Sequence, residues 1–151
     1  MGFIGYIIDQ QDMRRYSGIL LVLFLLASTL TRAQLVTTVG EGWAGNSVNA
    51  VIFRKNSISS WKDSQFIAYY DQQKNVVLGK RKLGTTHWTI QQTQYKGDVA
   101  DAHRSISLIT DGDGFLHVSW DHHGNALNYA VSTAPGSLDL GPKRAMTGKG
   151  T

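Results

Sequence analysis

The stretch of this 151-residue chain with the clearest chemical potential is residues 98–123, which carries His103 before one predicted strand and His122 and His123 after the next. Histidine titrates near neutrality and can accept or donate a proton, so it is the commonest general acid or base. In an antiparallel hairpin the beginning of the first strand and the end of the second lie at the same edge. We therefore predict that His103 meets the 122/123 pair at one edge of a sheet, opposite the DGDG turn at 111–114.

Metal binding is the second chemistry that these histidines could perform. A zinc site made of His103, His122 and His123 lacks an evident fourth ligand, and adjacent histidines in a turn usually point apart. The DGDG segment lacks the later ligands of a calcium loop and is interpreted as a turn. We therefore assign no metal ligand, expect no organic cofactor and leave a structural metal ion open. His117, inside a strand, is expected to be a packed polar residue, and His87 to be structural.

The elements that must position these histidines are β-strands. From Gln34 onward, short runs rich in β-branched and aromatic residues alternate with clusters of Gly, Asn, Asp and Ser, which is typical of strands and turns. No segment of this region has sustained helical spacing. The predicted strands are Ser47–Phe53, Gln65–Asp71, Val76–Leu83 and His87–Thr93 in a first unit, and Ser105–Thr110, Phe115–Asp121 and Ala126–Ser132 in a second.

An internal repeat relates the two units. Residues 66–82 align with residues 116–132, which places Asp71 on Asp121 at a period of about 50 residues, and periods of this size are found in β-propeller blades. We predict an all-β fold containing about two propeller blades, the second with at most a rudimentary fourth strand. Two blades leave both outer faces uncovered, so we expect the chain to be the N-terminal part of a longer propeller. A small β-sandwich or a partly open barrel of about seven strands is the alternative.

The N-terminal residues 1–33 have the features of a secretory signal. Two arginines follow Met13, the expected true start, and the apolar run Gly18–Leu30 leads to small residues that end at Ala33. A transmembrane anchor is the alternative, but this run is shorter than the roughly 20 residues needed to span a bilayer. We therefore expect cleavage after Ala33, a secreted protein made of residues 34–151, and no stable membrane insertion.

The charge and composition of the exported protein indicate which kinds of partner it is expected to bind. The formal net charge is +4 for the whole chain and +3 without residues 1–33, which carry three basic and two acidic side chains. The basic residues are scattered and form no nucleic-acid-binding motif, so we expect an anionic polysaccharide as partner and no nucleic acid. There is no cysteine, so disulfide bonds cannot stabilise the fold. Protein partners are not predicted.

Six stretches of sequence carry a resemblance to a known family. In chain order they are GWAGNSVNAVIFR, DSQFIAYYD, VVLGKRKLG, DAHRSIS, DGDGFLHVSWDHHGN and APGSLDL. Together they resemble the N-terminal part of the BNR-repeat-containing propeller proteins to which secreted ulvan lyases belong. The combination of DAH with SWDHH about 20 residues later is the most specific part of the match.

The resemblance implies a seven-bladed propeller that cleaves a uronic-acid polysaccharide by β-elimination. It implies catalytic roles for His103 and for His123, with His122 as a rival for the second place. The catalytic tyrosine and the carboxylate-binding arginine of the family lie in later blades, so we expect the parent protein to be the enzyme and this chain alone to be inactive. Arg104, Asn46 and Trp43 are the candidate substrate-binding residues.

Two other functions are kept open by the residues themselves. A glycoside hydrolase on the same type of propeller would need two carboxylates, and Asp98, Asp101 and Asp121 are the acidic residues near the histidines. A non-catalytic glycan-binding propeller would need aromatic platforms, for which Trp43 and Tyr95 are candidates.

Overall fold

The structure is a computed structural model, and it describes residues 13–20, 36–51 and 56–146. The chain divides into two compact units, Met1–Val36 and Thr37–Thr151. All seven strands described below belong to the second unit.

In the first unit, residues 13–20 are helical, and the hydroxyl of Ser17 donates a hydrogen bond to the carbonyl of Met13 at 2.8 Å. No helix in the described part of the chain has the length and apolar character required to cross a membrane. The predicted cleavage position after Ala33 and most of the apolar run before it lie outside the described residues.

The second unit contains two antiparallel sheets. The first has the order β1-β2-β3-β4 and the second the order β5-β6-β7, so each is a simple meander. Neither sheet closes on itself within residues 56–146. The strands are β1 (Ile58–Trp61), β2 (Ser64–Tyr70), β3 (Asn75–Lys82), β4 (Thr89–Lys96), β5 (Ser107–Thr110), β6 (Leu116–Trp120) and β7 (Asn128–Val131).

The core is built from alternate residues of the central strands. Side chains point to opposite faces of a strand in turn, and in both β2 and β6 every second side chain is fully or almost fully buried. These side chains belong to one apolar core shared by the two sheets. They are Phe66, Ala68 and Tyr70 from β2, and Leu116, Val118 and Trp120 from β6.

The two sheets are joined through β1 and β5, which are neighbours in space. The backbone N–H of Leu108 donates to the carbonyl of Asn56, and the N–H of Thr110 donates to the hydroxyl of Ser59 at 3.0 Å. The first strand of each meander therefore lies at the junction between the sheets.

The repeat detected in the sequence corresponds to two equivalent hairpins, β2–β3 and β6–β7. In the first hairpin, a carboxylate oxygen of Asp71 accepts hydrogen bonds from the backbone N–H groups of Gln73 and Asn75, at 2.9 and 2.8 Å, and closes the turn. In the second hairpin the aligned Asp121 has a positive φ of 52° and begins the turn that carries His123. The repeat therefore places the turn that carries His123 at the position that an ordinary polar turn occupies in the β2–β3 hairpin.

A rudimentary fourth strand follows β7, as predicted. Ser132 forms an isolated bridge with Leu140, and the N–H of Gly141 donates to the carbonyl of Val131 at 2.9 Å. Residues 139–144 thus run beside β7 without forming a full strand.

The prediction of a strand at Ser47–Phe53 is wrong over residues 47–51, because this segment turns instead of extending. The side-chain oxygen of Asn46 accepts from the N–H of Val48 at 3.1 Å, and the N–H of Ala50 donates to the carbonyl of Ser47 at 2.7 Å. Short amide side chains compete in this way with strand hydrogen bonds. Residues 52–55 lie outside the described part of the chain.

Asn49 replaces the missing strand as a neighbour of β2. Its side-chain amide donates to the carbonyl of Tyr70 at 2.8 Å, and its side-chain oxygen accepts from the N–H of Tyr70 at 2.9 Å. The first strand of the sheet is therefore β1, a short segment that the sequence analysis did not predict. The other six predicted strands correspond to β2–β7 with shifts of a few residues, and the all-β prediction is confirmed.

Candidate functional site

His103 and His123 come together where the loop before β5 meets the loop after β6. Their ring centroids are 4.6 Å apart and the ring planes are at 89°. Asp101 lies between them, with one carboxylate oxygen 2.6 Å from His103 Nδ1 and the other 3.3 Å from His123 Nδ1. We call Asp101, His103 and His123 the histidine–aspartate cluster. All three side chains are accessible to solvent, with exposed fractions between 41% and 59%.

The turn after β6 determines which of the adjacent histidines joins this cluster. The backbone N–H of His123 donates to the side-chain oxygen of Asn125 at 2.7 Å, and the amide of Asn125 donates to the carbonyl of Asp121 at 2.7 Å. His122 is exposed and lies outside the set of converging ligand atoms. The structure therefore assembles His103 with His123 and Asp101, and not the trio of histidines considered from the sequence.

A buried tyrosine hydroxyl fixes the two loops relative to each other. The hydroxyl of Tyr70, which is fully buried, donates to the carbonyl of Arg104 at 2.8 Å and accepts from the N–H of Asp121 at 3.1 Å. A Cβ atom added to Gly97 would lie 2.5 Å from the Tyr70 ring, so only glycine permits this approach. The N–H of Asp98 also donates to the carboxylate of Asp121, at 3.0 Å.

Arg104, a candidate substrate-binding residue, is paired within the protein. Its guanidinium contacts the carboxylate of Asp98 and lies 3.5 Å from that of Asp121, and the side chain is only 26% exposed. The positive charge of Arg104 is thus compensated by two carboxylates. Its proposed role in substrate binding stays a prediction.

Asp101 adds a third carboxylate to this edge. Hydrogen bonds from the backbone N–H and then from the imidazole of His103 lower the pKa of Asp101 below its ordinary value of 3.8. Asp101 is therefore ionised at neutral pH. Together, the carboxylates of Asp98, Asp101 and Asp121 and the guanidinium of Arg104 carry a net negative charge when both imidazoles are neutral.

Asn46 acts as a support for the loop that carries the cluster. Its side-chain amide donates to the carbonyl of Val99 at 2.6 Å, and its oxygen accepts from Val48. Trp43 is half-buried and packs against the core, with Lys74 Nζ 5.6 Å from the centroid of its ring. A direct contact of Asn46 or Trp43 with a substrate stays a prediction.

Tyr95 and His117 have structural partners. The ring of Tyr95 lies 4.7 Å from that of Trp120, between centroids. His117 Nδ1 is 2.6 Å from the hydroxyl of Tyr129, and its Nε2 is 2.9 Å from the carboxylate of Asp111. The prediction that His117 is a packed polar residue is confirmed.

The remaining sequence features lie away from the cluster. The DGDG segment is a turn, with the N–H of Asp111 donating to the carbonyl of Phe115 at 3.0 Å and a φ of 94° at Gly114. A cavity of about 490 Å³ opens beside this turn and His117, and the cluster does not line it. His87 is exposed and borders a basic cleft of about 370 Å³.

Asp101 was not predicted to be a member of the cluster. In the sequence it was a candidate only as a carboxylate for a hydrolase. The usable signal was the Asp-x-His spacing, because Asp101 accepts a hydrogen bond from the backbone N–H of His103 at 2.9 Å, two residues ahead. Aspartate commonly bonds the backbone in this manner, which brings it close to the side chain that follows.

Comparison with known proteins assigns the family. Residues 64–151, more than half of the chain, match the model of a family described as BNR repeat-containing family members. The chain belongs to the BNR repeat-containing family. The matched BNR-repeat region begins at the first residue of β2 and includes the whole histidine–aspartate cluster. BNR repeat domains are typical of enzymes that act on glycans or of proteins that bind them. No curated protein matches the sequence.

Proposed function

We propose that this chain is the N-terminal part of a secreted lyase that cleaves a uronic-acid polysaccharide, of the ulvan type, by β-elimination. The observation that carries the proposal is the pairing of His103 and His123 on one exposed edge of the BNR-repeat region, 4.6 Å apart between ring centroids. β-Elimination removes the proton beside the uronate carboxylate and returns a proton to the departing glycosidic oxygen. Imidazoles perform both kinds of proton transfer near neutral pH.

Asp101 supports this role by orienting the imidazoles. A carboxylate that accepts a hydrogen bond from one ring nitrogen favours the tautomer that presents the other nitrogen to a substrate. Asp101 lies against Nδ1 of both rings. In the proposed reaction His103 and His123 transfer protons or orient the uronate carboxylate, and Asp101 positions them.

The charge at the cluster indicates what the rest of the site must supply. β-Elimination requires a positive group that neutralises the uronate carboxylate, but Arg104 is already paired with Asp98 and Asp121. We therefore propose that this cation comes from later blades, as the resemblance to ulvan lyases implies.

The proposed architecture is a propeller in which β1–β4 and β5–β7, with residues 139–144, are the first two blades. Support comes from the two meanders, the repeated hairpin and the position of β1 beside β5. In this proposal residues 1–33 direct export and are removed, and the basic mature protein binds an anionic polysaccharide outside the cell.

The two alternative functions have less support. A hydrolase needs carboxylates available to the glycosidic bond, yet Asp98 and Asp121 contact Arg104, and Asp101 contacts both histidines. A purely glycan-binding surface would use aromatic platforms. Tyr95, one candidate platform, has a structural contact instead, because its hydroxyl donates to the carbonyl of Gly141 at 2.7 Å.

The activity test uses the full-length protein that carries this chain together with its later blades. Changing His103→Ala or His123→Ala should reduce the formation of unsaturated uronate ends at least about a hundredfold, the usual scale for loss of a general acid or base. The reaction is followed by the ultraviolet absorbance of the new conjugated double bond on ulvan and other uronate polysaccharides.

His122→Ala and His117→Ala are the matched controls for this experiment. His122 lies outside the cluster, so its variant should retain near wild-type turnover. His117→Ala should lower the unfolding midpoint through loss of its two hydrogen bonds while sparing the turnover of folded protein. A His103→Ala protein that is folded by circular dichroism and turns over at the wild-type rate would refute the lyase proposal.

A further inference from the structure

We infer that the histidine–aspartate cluster binds a divalent transition-metal ion of the zinc type. The cluster offers two imidazole nitrogens and one carboxylate oxygen, and these ligand atoms lie within 4.8 Å of one another. Three protein ligands with a fourth position left for water or a bound group is the arrangement of many reactive zinc sites. This inference concerns metal affinity alone and is tested apart from the lyase proposal: an ion bound to the imidazole nitrogens beside Asp101 would block the proton transfers proposed for the metal-free site.

The ligand atoms lie close enough together to converge on one ion after adjustment of their side chains. Zinc bonds of about 2.0–2.2 Å place neighbouring ligand atoms about 3.3 Å apart. The separation of His123 Nδ1 from an Asp101 oxygen is 3.3 Å, and that of His103 Nδ1 from the other oxygen is 2.6 Å. A metal ion would therefore replace hydrogen bonds that already bring these atoms together, and the side chains would adjust to equalise the distances.

The charges at this edge favour a cation over an anion as the ligand. The carboxylates of Asp98 and Asp121 contact the guanidinium of Arg104, and the carboxylate of Asp101 contacts the two imidazoles, so these four charged groups carry a net charge of −2 when the imidazoles are neutral. A divalent ion would neutralise this charge. Calcium and magnesium prefer sites made entirely of oxygen, whereas two imidazole nitrogens select zinc, cobalt, nickel or copper.

The backbone around the cluster is held in place before any metal binds. Tyr70 joins the two loops through its buried hydroxyl, Asn125 fixes the backbone of His123, and Asp101 bonds the backbone of His103. Preorganised ligands lose less conformational freedom on binding, which raises the affinity. These supports distinguish the cluster from a chance group of exposed side chains.

The test is a titration of the full 151-residue chain, treated with a chelator and dialysed, with cobalt chloride. Co²⁺ bound in a tetrahedral site absorbs in the visible range, and Zn²⁺ should displace it and abolish the band. We expect saturable binding of one ion per chain. His103→Ala, His123→Ala and Asp101→Asn should each weaken binding at least about a hundredfold, because each removes a ligand rather than an outer support.

His122→Ala is the matched control, since it removes an adjacent exposed histidine that lies outside the cluster. It should leave the cobalt spectrum and the zinc affinity unchanged. Circular dichroism reports whether each variant is folded, and the nearly isosteric Asp101→Asn decides the result if an alanine variant fails to fold. Absence of saturable binding to the wild-type chain, or equal loss of affinity in His122→Ala, would overturn the inference.

Discussion

Asp111 and His117 are in hydrogen-bond contact, and the effect of this contact on stability at different pH values can be predicted in sign. The hydrogen bond from His117 lowers the pKa of Asp111 below its ordinary value of 3.8. A carboxylate with a lowered folded-state pKa adds stability above its unfolded-state pKa, and this stability is lost as the pH falls through the folded-state value. Asp111→Asn should therefore unfold at a lower temperature than wild type at neutral pH, and the difference should shrink below about pH 3.8.

Asp113→Asn is the control for this measurement, because Asp113 belongs to the same turn and is exposed. It should change the thermal midpoint little at any pH. The midpoints of the three proteins are compared by circular dichroism from neutral to acidic pH. A difference between wild type and Asp111→Asn that stayed constant across this range would contradict the predicted linkage.

At the scale of single residues, the sequence predicted that the loop before β5 and the loop after β6 lie close together. It did not predict which side chains of these loops contact each other. Antiparallel pairing alone places His103 and the 122/123 pair at one edge, and the structure shows His103 beside His123. The choice of His123 depends on the hydrogen bond of its backbone to Asn125, and the inclusion of Asp101 depends on a bond over two residues. Such local side-chain bonds have no periodic signal in the sequence.

Among the elements, the turn at residues 47–50 makes a prediction about stability. The amide of Asn49 donates to and accepts from the backbone of Tyr70, so Asn49→Ala would remove two hydrogen bonds from buried backbone, although the carbonyl of Tyr70 would keep the bond from the N–H of Trp43. Loss of such partners typically costs about 1–3 kcal/mol. We expect the free energy of unfolding to fall by about this amount in urea titrations, with an unchanged dependence on urea concentration.

Asn56→Ala is the matched control for Asn49→Ala, because the side chain of Asn56 is exposed and its contribution to the β1–β5 junction is made by its backbone carbonyl. This variant should unfold at nearly the wild-type urea concentration. Equal stability of both variants would show that the amide of Asn49 does not act as the neighbour of β2.

The strands were predictable where alternation is strong and failed where side chains bond the backbone. β2 and β6 bury every second residue, so their pattern is visible in the sequence. The predicted strand Ser47–Phe53 contains residues with high strand propensity, but residues 47–50 form a turn, in which Asn46 bonds the N–H of Val48 and the N–H of Ala50 bonds the carbonyl of Ser47. β1 was missed because its four residues alternate only between exposed and half-buried positions.

For the whole molecule, the exposed apolar residues of β1 and β5 predict self-association. Ile58 is 53% exposed and Ile109 is 59% exposed, on strands that are neighbours in space. Exposed apolar groups on adjacent strands favour association because burial removes them from water. The full chain should form oligomers at concentrations at which the double variant Ile58→Thr/Ile109→Thr is monomeric, as measured by sedimentation velocity.

Leu83→Thr is the control for this comparison, since Leu83 is 43% exposed and lies just after β3 rather than on β1 or β5. It should associate like the wild-type chain. Threonine keeps the β-branched shape suited to a strand, so the double variant should retain its unfolding midpoint. A wild-type chain that is monomeric at all concentrations tested would refute the prediction.

Residues 139–144, which run beside β7, affect whether this edge of the sheet can pair with a strand from another copy of the chain. Gly141 and Arg144 direct their N–H groups toward β7, and Pro142 between them has no N–H to offer to an incoming strand. Lys143 and Arg144 add two exposed positive charges to the same edge, and charged residues and proline are known to protect sheet edges. A cross-β template would therefore form poorly here, and amyloid-like addition of further copies is directed away from this side of the protein.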